Sequence, residues 1–201
     1  IIEAVFEDLK VKQDIMQRVE KEAKKTAIIA TNTSSIPLDE INTVMKNPER
    51  LVGIHYFNPV AKMELVEVVQ GSQTKQELVD NAAAFVNQIS RLPLIVRSKP
   101  GFLVNRVLMP YLMECIKLLE EGYKPETIDN AAKSFGMVMG PVEMADTVGL
   151  DVGLYHSILM KLSVLESFFV PYQKLLLYQM YTLLQNLYRL LHHQLFHQFH
   201  Q

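Results

Sequence analysis

Four polar residues stand in or beside apolar segments of this sequence and could carry chemistry: Ser34, His55, Glu67 and Asn105. A carboxylate that accepts a hydrogen bond from one ring nitrogen of an imidazole fixes its tautomer and stabilises the imidazolium, while the other nitrogen takes up a proton. An unperturbed imidazole pKa of about 6.5 suits a base near neutral pH. His55 and Glu67 therefore predict general acid–base catalysis, with no substrate specified.

Each of these residues also has a simpler interpretation. A lone histidine at a strand end is more often structural than catalytic, and a glutamate in an apolar strand either meets a buried partner or faces water at a sheet edge. An asparagine near a helix start is commonly a cap or a surface residue. The residue types alone leave these alternatives open. Contact between the side chains of His55 and Glu67 in the folded chain would favour catalysis.

The elements that must position these residues alternate between strands and helices as far as residue 98. Apolar, β-branched runs predict strands at 1–6, 27–31, 51–56, 65–69 and 93–97. Helical periodicity predicts helices near 8–25, 37–45 and 73–90. This alternation predicts an open α/β sheet with parallel character. The polar turn that contains Ser34 follows the second strand, where open sheets carry ligand contacts.

The pattern changes at residues 98–101, where we predict a domain boundary. Beyond it we predict a long helix over 102–121 and a further helix after Pro125, followed by a glycine-rich stretch from 136 to 149. The sequence therefore predicts three segments. They are an α/β domain at 1–98, an all-helical domain at 99–153 and an atypical tail at 154–201.

The composition excludes little, but the tail is unusual. Hydrophobic residues make up 49% of the chain and the net charge is -2, which gives no argument for nucleic acid or an anionic membrane. One cysteine, Cys115, excludes an intrachain disulfide. The tail holds five of the six histidines, but no cysteine and only one carboxylate, so we interpret it as a non-functional end rather than a metal site. Polar residues such as Gln185 and Arg189 interrupt any membrane-spanning run.

A glycine-rich dinucleotide turn is absent from this sequence. No two glycines stand two residues apart, so the Gly-x-Gly-x-x-Gly pattern that brings backbone N–H groups to a pyrophosphate is missing. Either the α/β domain binds no dinucleotide, or its first βαβ half lies upstream of Ile1. The first residue is not methionine, which favours the second alternative. We expect residues 1–201 alone to have little or no affinity for a dinucleotide and no activity.

Several ordered motifs of this chain resemble the 3-hydroxyacyl-CoA dehydrogenase family. They are Asn32-Thr33-Ser34-Ser35, His55-Tyr56-Phe57-Asn58-Pro59, Leu65-Val66-Glu67-Val68, Pro100-Gly101-Phe102-Leu103-Val104-Asn105-Arg106 and Gly140-Pro141-Val142-Glu143. Together with Glu3-Ala4-Val5-Phe6-Glu7-Asp8, they are most similar to the dehydrogenase portion of the bacterial multifunctional fatty-acid oxidation enzyme. The resemblance extends from residue 1 to about residue 153.

The resemblance implies a partial Rossmann-like NAD domain followed by a helical domain, and an NAD-linked oxidation of (S)-3-hydroxyacyl-CoA to 3-oxoacyl-CoA in β-oxidation. It implies that His55 is the base, that Glu67 orients it, and that Ser34 and Asn105 contact the substrate. It also implies cofactor contacts at Val5, Phe6, Glu7, Lys12, Ser34 and Asn58. No metal is implied.

The resemblance further implies an acyl-CoA partner, a dimer or multienzyme complex, and a location in the bacterial cytoplasm or the mitochondrial matrix of a eukaryote. No nucleic-acid partner and no membrane span are expected. The alternative is a non-catalytic fragment or structural homologue of the same fold. A different NAD(P)-linked hydroxy-acid dehydrogenase ranks last, because it does not predict the His-x-x-Asn-Pro spacing.

Overall fold

A computed structural model describes residues 1–148 of the chain. The chain divides into two compact units, Ile1–Leu103 and Val104 onward. The strands are β1 (Ile2–Glu3), β2 (Ile29–Thr31), β3 (Leu51–Tyr56), β4 (Leu65–Gln70) and β5 (Leu92–Arg97). The helices are α1 (Leu9–Glu22), α2 (Leu38–Ile41), α3 (Gln76–Gln88), α4 (Val104–Glu120), α5 (Pro125–Phe135) and α6 (Pro141–Val148). Two short 3-10 helices, Asn42–Val44 and Pro48–Arg50, precede β3.

The first unit is a five-stranded sheet in the order β1-β2-β3-β4-β5. Three of its four strand pairings are parallel, whereas β3 and β4 pair antiparallel. The α/β class predicted from the sequence is thus confirmed, but the antiparallel pair was not predicted. Residues 57–64, which join β3 to β4, are too few for a crossover to a parallel strand, which needs about a dozen residues or more.

Two apolar clusters cover the two faces of this sheet, because alternate residues of a strand point to opposite faces. Leu51 and Val69 belong to a cluster that includes residues of α1 and α2, whereas Val52 and Val68 belong to a cluster that includes residues of α3. By the same alternation His55 lies on the face of Leu51. The β3–β4 register places Glu67 directly opposite His55, and therefore on that face too.

The first predicted strand was wrong in length and burial. The sequence predicted a buried strand over residues 1–6, but β1 covers only Ile2–Glu3, and the side chain of Phe6 is 88% exposed. Among the strands of the described residues, β1 lies at one side of the sheet and pairs with β2 alone. The backbone then turns, with the Asp8 N–H donating to the Phe6 carbonyl, and the Asp8 carboxylate caps α1 by accepting from the Val11 N–H.

Gly53 provides a test of packing between β3 and β4. A Cβ added at Gly53 would stand 2.6 Å from Cβ of Val69. Replacing Gly53 with alanine is therefore expected to lower the free energy of unfolding by about 1–3 kcal/mol, measured by urea denaturation. The loss should be smaller in a Val69→Gly background, where the facing side chain is gone. An equal loss in both backgrounds would exclude this contact as its cause.

The second unit is helical in its described part, residues 104–148. α5 ends at Gly136, which is left-handed (φ 115°), and Cys115, Leu118 and Ile128 form the buried cluster between α4 and α5. No element was predicted within 136–149, yet α6 occupies part of it. The Asp129 carboxylate accepts from the first N–H groups of α6, those of Val142 and Glu143, which explains its start. The predicted tail at 154–201 lies outside the described residues.

Candidate active site

His55 and Glu67 form a buried pair at the centre of the sheet. The two residues are direct partners in the antiparallel β3–β4 ladder, and Nδ1 of His55 lies 2.8 Å from Oε2 of Glu67. Glu67 is 0% exposed and His55 is 5% exposed. The predicted contact between the two side chains is confirmed. The alternative of a glutamate facing water at a sheet edge is wrong, because β4 lies between β3 and β5.

The hydrogen bonds of Glu67 bear on which ring nitrogen of His55 can accept a proton. A carboxylate in its ionised form only accepts, so with ionised Glu67 the shared bond takes its proton from Nδ1 of His55 and Nε2 is the acceptor. The other carboxylate oxygen, Oε1, accepts the backbone N–H of Leu103 at 3.0 Å. Both carboxylate oxygens of Glu67 are therefore engaged, one by the His55 ring and one by the backbone of Leu103.

Two phenyl rings contact the imidazole of His55. The ring of Phe57 lies 4.6 Å away between centroids, and the ring of Phe102 lies 5.7 Å away in an edge-on arrangement. Phe102 is 2% exposed. Neither ring was predicted to belong to the site. Their place inside two of the recognised motifs, His-Tyr-Phe-Asn-Pro and Pro-Gly-Phe, was the signal in the sequence that could have identified them.

A second polar cluster joins the segments that follow β1 and β2. Oε1 of Glu7 accepts hydrogen bonds from the turn after β2, namely the hydroxyls of Thr33, Ser34 and Ser35 and the N–H groups of Ser34 and Ser35. Burial alone would raise the pKa of Glu7, but the Thr33 hydroxyl and the Lys12 charge hold it below its ordinary value. Glu7 is therefore an anion that fixes the turn carrying Ser34. The structure brings these two predicted cofactor contacts together.

Lys12 is buried beneath this cluster. Its ammonium lies 2.7 Å from Oε1 of Glu3 and 3.3 Å from Oε2 of Glu7, and its side chain is 1% exposed. Glu3 also accepts from the hydroxyl of Thr31 at 2.7 Å and from the N–H of Val5 at 2.7 Å. Glu3 and Thr31 were not identified in the sequence, because Glu3 stands in what reads as an apolar strand.

The remaining predicted site residues follow strands β1 and β3 or lie at the start of helix α4. Val5 and Phe6 are exposed after β1, and Asn58 is exposed after β3, before a cis peptide bond to Pro59. Because β1, β2 and β3 run parallel, their carboxyl ends lie at the same end of the sheet. The segments that contain Phe6, Ser34 and Asn58 follow these strand ends. Asn105 lies in the first turn of α4, in the second unit, and its contact with a substrate remains a prediction.

A sheet covered on both faces, with polar clusters where its parallel strands end and a helical unit next in the sequence, is typical of two-domain, dinucleotide-dependent dehydrogenases. Residues 1–99 match the family model for the 3-hydroxyacyl-CoA dehydrogenase NAD binding domain, and residues 101–188 match that for the 3-hydroxyacyl-CoA dehydrogenase C-terminal domain. The chain belongs to the 3-hydroxyacyl-CoA dehydrogenase family. The second match extends past residue 153, where the motifs recognised in the sequence end.

Similar proteins agree with this assignment. The chain is 42% identical over 153 residues to the fatty acid oxidation complex subunit alpha of Vibrio cholerae, covering 76% of this chain and 22% of that protein. It is 40% identical over 171 residues to the subunit of the same name from Shewanella sp. strain W3-18-1, covering 85% and 24%. The chain therefore spans less than a quarter of these relatives.

Two solved structures are similar to this chain in both fold and sequence. One is (S)-3-hydroxybutyryl-CoA dehydrogenase PaaH1 from Ralstonia eutropha, with a TM-score of 0.75 and 36% identity over 79% of this chain and 57% of that one. Another is FadB2 of M. tuberculosis, with a TM-score of 0.77 and 32% identity over 90% and 65%. In the part of the chain that the structure describes, no helix combines the length and apolar character needed to cross a bilayer.

Proposed function

We propose that the protein carrying this chain oxidises (S)-3-hydroxyacyl-CoA to 3-oxoacyl-CoA with NAD. The buried contact between His55 and Glu67 is the observation on which this proposal depends. An aliphatic hydroxyl does not ionise near neutral pH, so its oxidation requires a base that takes the proton as the C–H bond breaks. His55 has the residue type, the tautomer and the supporting carboxylate for that step.

His55 accepts the hydroxyl proton at Nε2 and becomes an imidazolium. The charge is stabilised by Oε2 of Glu67, which lies 2.8 Å from Nδ1 and is excluded from water. In a site shielded from water, this charge–charge interaction is stronger than it would be at the surface. In the reverse reaction the imidazolium returns the proton to the 3-oxo oxygen.

The residues that follow the carboxyl ends of β1, β2 and β3 suit the nicotinamide half of NAD. Val5 and Phe6 offer exposed apolar surface beside the carboxylate of Glu7 and the hydroxyl of Ser34, which suits a flat ring attached to a ribose. Asn58 completes the direct contacts. Lys12, whose side chain is 1% exposed, contributes through its ion pair with Glu7. When bound, NAD accepts the hydride that leaves C3 of the substrate.

Substrate positioning is assigned to Ser34 and Asn105, whose side chains would hydrogen-bond the substrate oxygens and hold C3 close to the nicotinamide. The intact protein is proposed to act on acyl-CoA within a dimer or multienzyme complex, in the bacterial cytoplasm or the mitochondrial matrix of a eukaryote. No metal takes part in this proposal.

Turnover of acetoacetyl-CoA tests this function. Because residues 1–201 contain no Gly-x-Gly-x-x-Gly motif, the chain is joined to the strand, glycine turn and helix of a relative. We expect this joined protein to oxidise NADH when acetoacetyl-CoA is added, measured by absorbance. It should act on (S)-3-hydroxybutyryl-CoA and not on the R enantiomer. A joined protein that folds and binds NADH but gives no turnover would instead support the non-catalytic homologue.

A further inference from the structure

The turn that ends the first unit has an unusual backbone. The N–H of Phe102 donates to the carbonyl of Lys99 at 2.8 Å, which closes a turn over Pro100 and Gly101. Gly101 has φ 71°, which glycine adopts freely, but the next residue, Phe102, also has a positive φ of 48°. A residue with a Cβ rarely adopts this conformation unless its surroundings require it.

The two contacts that follow from this backbone both meet the His55–Glu67 pair. The Phe102 ring packs edge-on against the imidazole of His55, and the N–H of the next residue, Leu103, donates to Oε1 of Glu67 at 3.0 Å. Phe102 also belongs to the apolar cluster on this face of the sheet. The left-handed backbone at Phe102 thus directs the Phe102 ring at His55 and the N–H of the following residue, Leu103, at Glu67.

We propose that the turn 99–103 is a positioning element of the His55–Glu67 pair, acting through the Phe102 ring and the Leu103 N–H. The ring restricts rotation of the imidazole. The N–H can only donate, so the oxygen it meets must be an acceptor. This fixes the rotation of the Glu67 carboxylate and leaves Oε2 directed at His55. The inference rests on the proposed function only for its effect on turnover.

A consequence for the Glu67→Gln variant distinguishes this arrangement from simple packing. The carboxamide has one accepting and one donating end. Because the Leu103 N–H requires the accepting oxygen, the NH₂ group of the new side chain is turned towards Nδ1 of His55. Nδ1 must then accept, and the proton of the neutral imidazole moves to Nε2. Without the constraint from Leu103, the carboxamide could turn its oxygen to Nδ1 and keep the original tautomer.

The experiment is ¹⁵N NMR of the imidazole groups in residues 1–201, recorded at a pH above which the ring nitrogen signals of His55 no longer change. The signals of His55 are assigned by their loss in His55→Gln. We expect a protonated Nδ1 in the parent chain and a protonated Nε2 in Glu67→Gln. A protonated Nδ1 in Glu67→Gln would overturn the proposal. The measurement needs no turnover, so its failure is distinct from failure of the proposed function.

A second variant tests the ring of Phe102. Glycine adopts the left-handed conformation without strain, so Phe102→Gly removes the ring while it permits the backbone of the turn and the Leu103 N–H. In the joined protein we expect kcat to fall by up to about 10²-fold with little change in KM, because the imidazole loses its fixed orientation. Met45→Ala is the matched control, since Met45 belongs to the same cluster and the rings packed against His55 are those of Phe57 and Phe102. Equal kcat in Phe102→Gly and Met45→Ala would contradict the role of the ring.

Discussion

Replacing His55 with glutamine is expected to lower kcat for 3-hydroxyacyl-CoA oxidation by about 10²–10⁴-fold in the joined protein, the usual contribution of a positioned general base. Glutamine can still donate a hydrogen bond to Oε2 of Glu67, so the buried carboxylate keeps a partner and the fold is retained. It cannot take up the hydroxyl proton. Steady-state kinetics at saturating NAD measure the loss of kcat. The same experiment gives KM for the acyl-CoA, which shows whether substrate binding has changed.

Two controls separate catalysis from packing in this experiment. His192→Gln changes a histidine in the tail, for which no role is predicted, and should leave kcat unchanged. The double variant His55→Gln/Glu67→Gln should be little slower than His55→Gln alone, because the carboxylate acts only through the imidazole. If the losses of the two single variants multiplied in the double variant, Glu67 would have a role independent of His55, and the proposed pair would be wrong.

The strands that carry the pair could be predicted closely from the sequence. The residues of β3 were predicted as observed, Leu51–Tyr56, and those of β4 to within one residue, because apolar β-branched runs bounded by polar residues give a strong local signal. Their antiparallel pairing has no such signal in either strand. It depends on the short connection between them, and it is this pairing that places Glu67 opposite His55.

The parts of the site that the sequence did not predict depend on backbone geometry and burial. A backbone N–H such as that of Leu103 is common to every residue except proline, so no residue type marks it as a hydrogen-bond donor to Glu67. The left-handed conformation of Phe102 is equally invisible in a residue that usually avoids it. Lys12 looks like one of several lysines on α1, and only its position beneath Glu3 makes it a core residue.

Replacing Lys12 with methionine is expected to lower the free energy of unfolding by about 3–5 kcal/mol, the usual loss when one partner of a buried ion pair is removed. Methionine fills similar space, so packing changes little. The carboxylate of Glu3, which is 5% exposed, loses its cation, as does the nearby carboxylate of Glu7. Urea denaturation at neutral pH measures the change. Lys10→Met, on an exposed position of the same helix, should change stability by less than about 0.5 kcal/mol.

The pH dependence of that loss identifies its electrostatic origin. Because the pKa of Glu7 in the folded chain lies below the ordinary value of 4.5, its contribution to stability is complete above pH 4.5 and is lost as the pH falls through the folded value. Removing Lys12 removes one of the causes of that lowered pKa. The difference in stability between the parent and Lys12→Met should therefore be largest at neutral pH and should narrow below pH 4.5. A difference that stayed constant with pH would indicate that Lys12 stabilises the fold by packing of its aliphatic stem, and not by its charge.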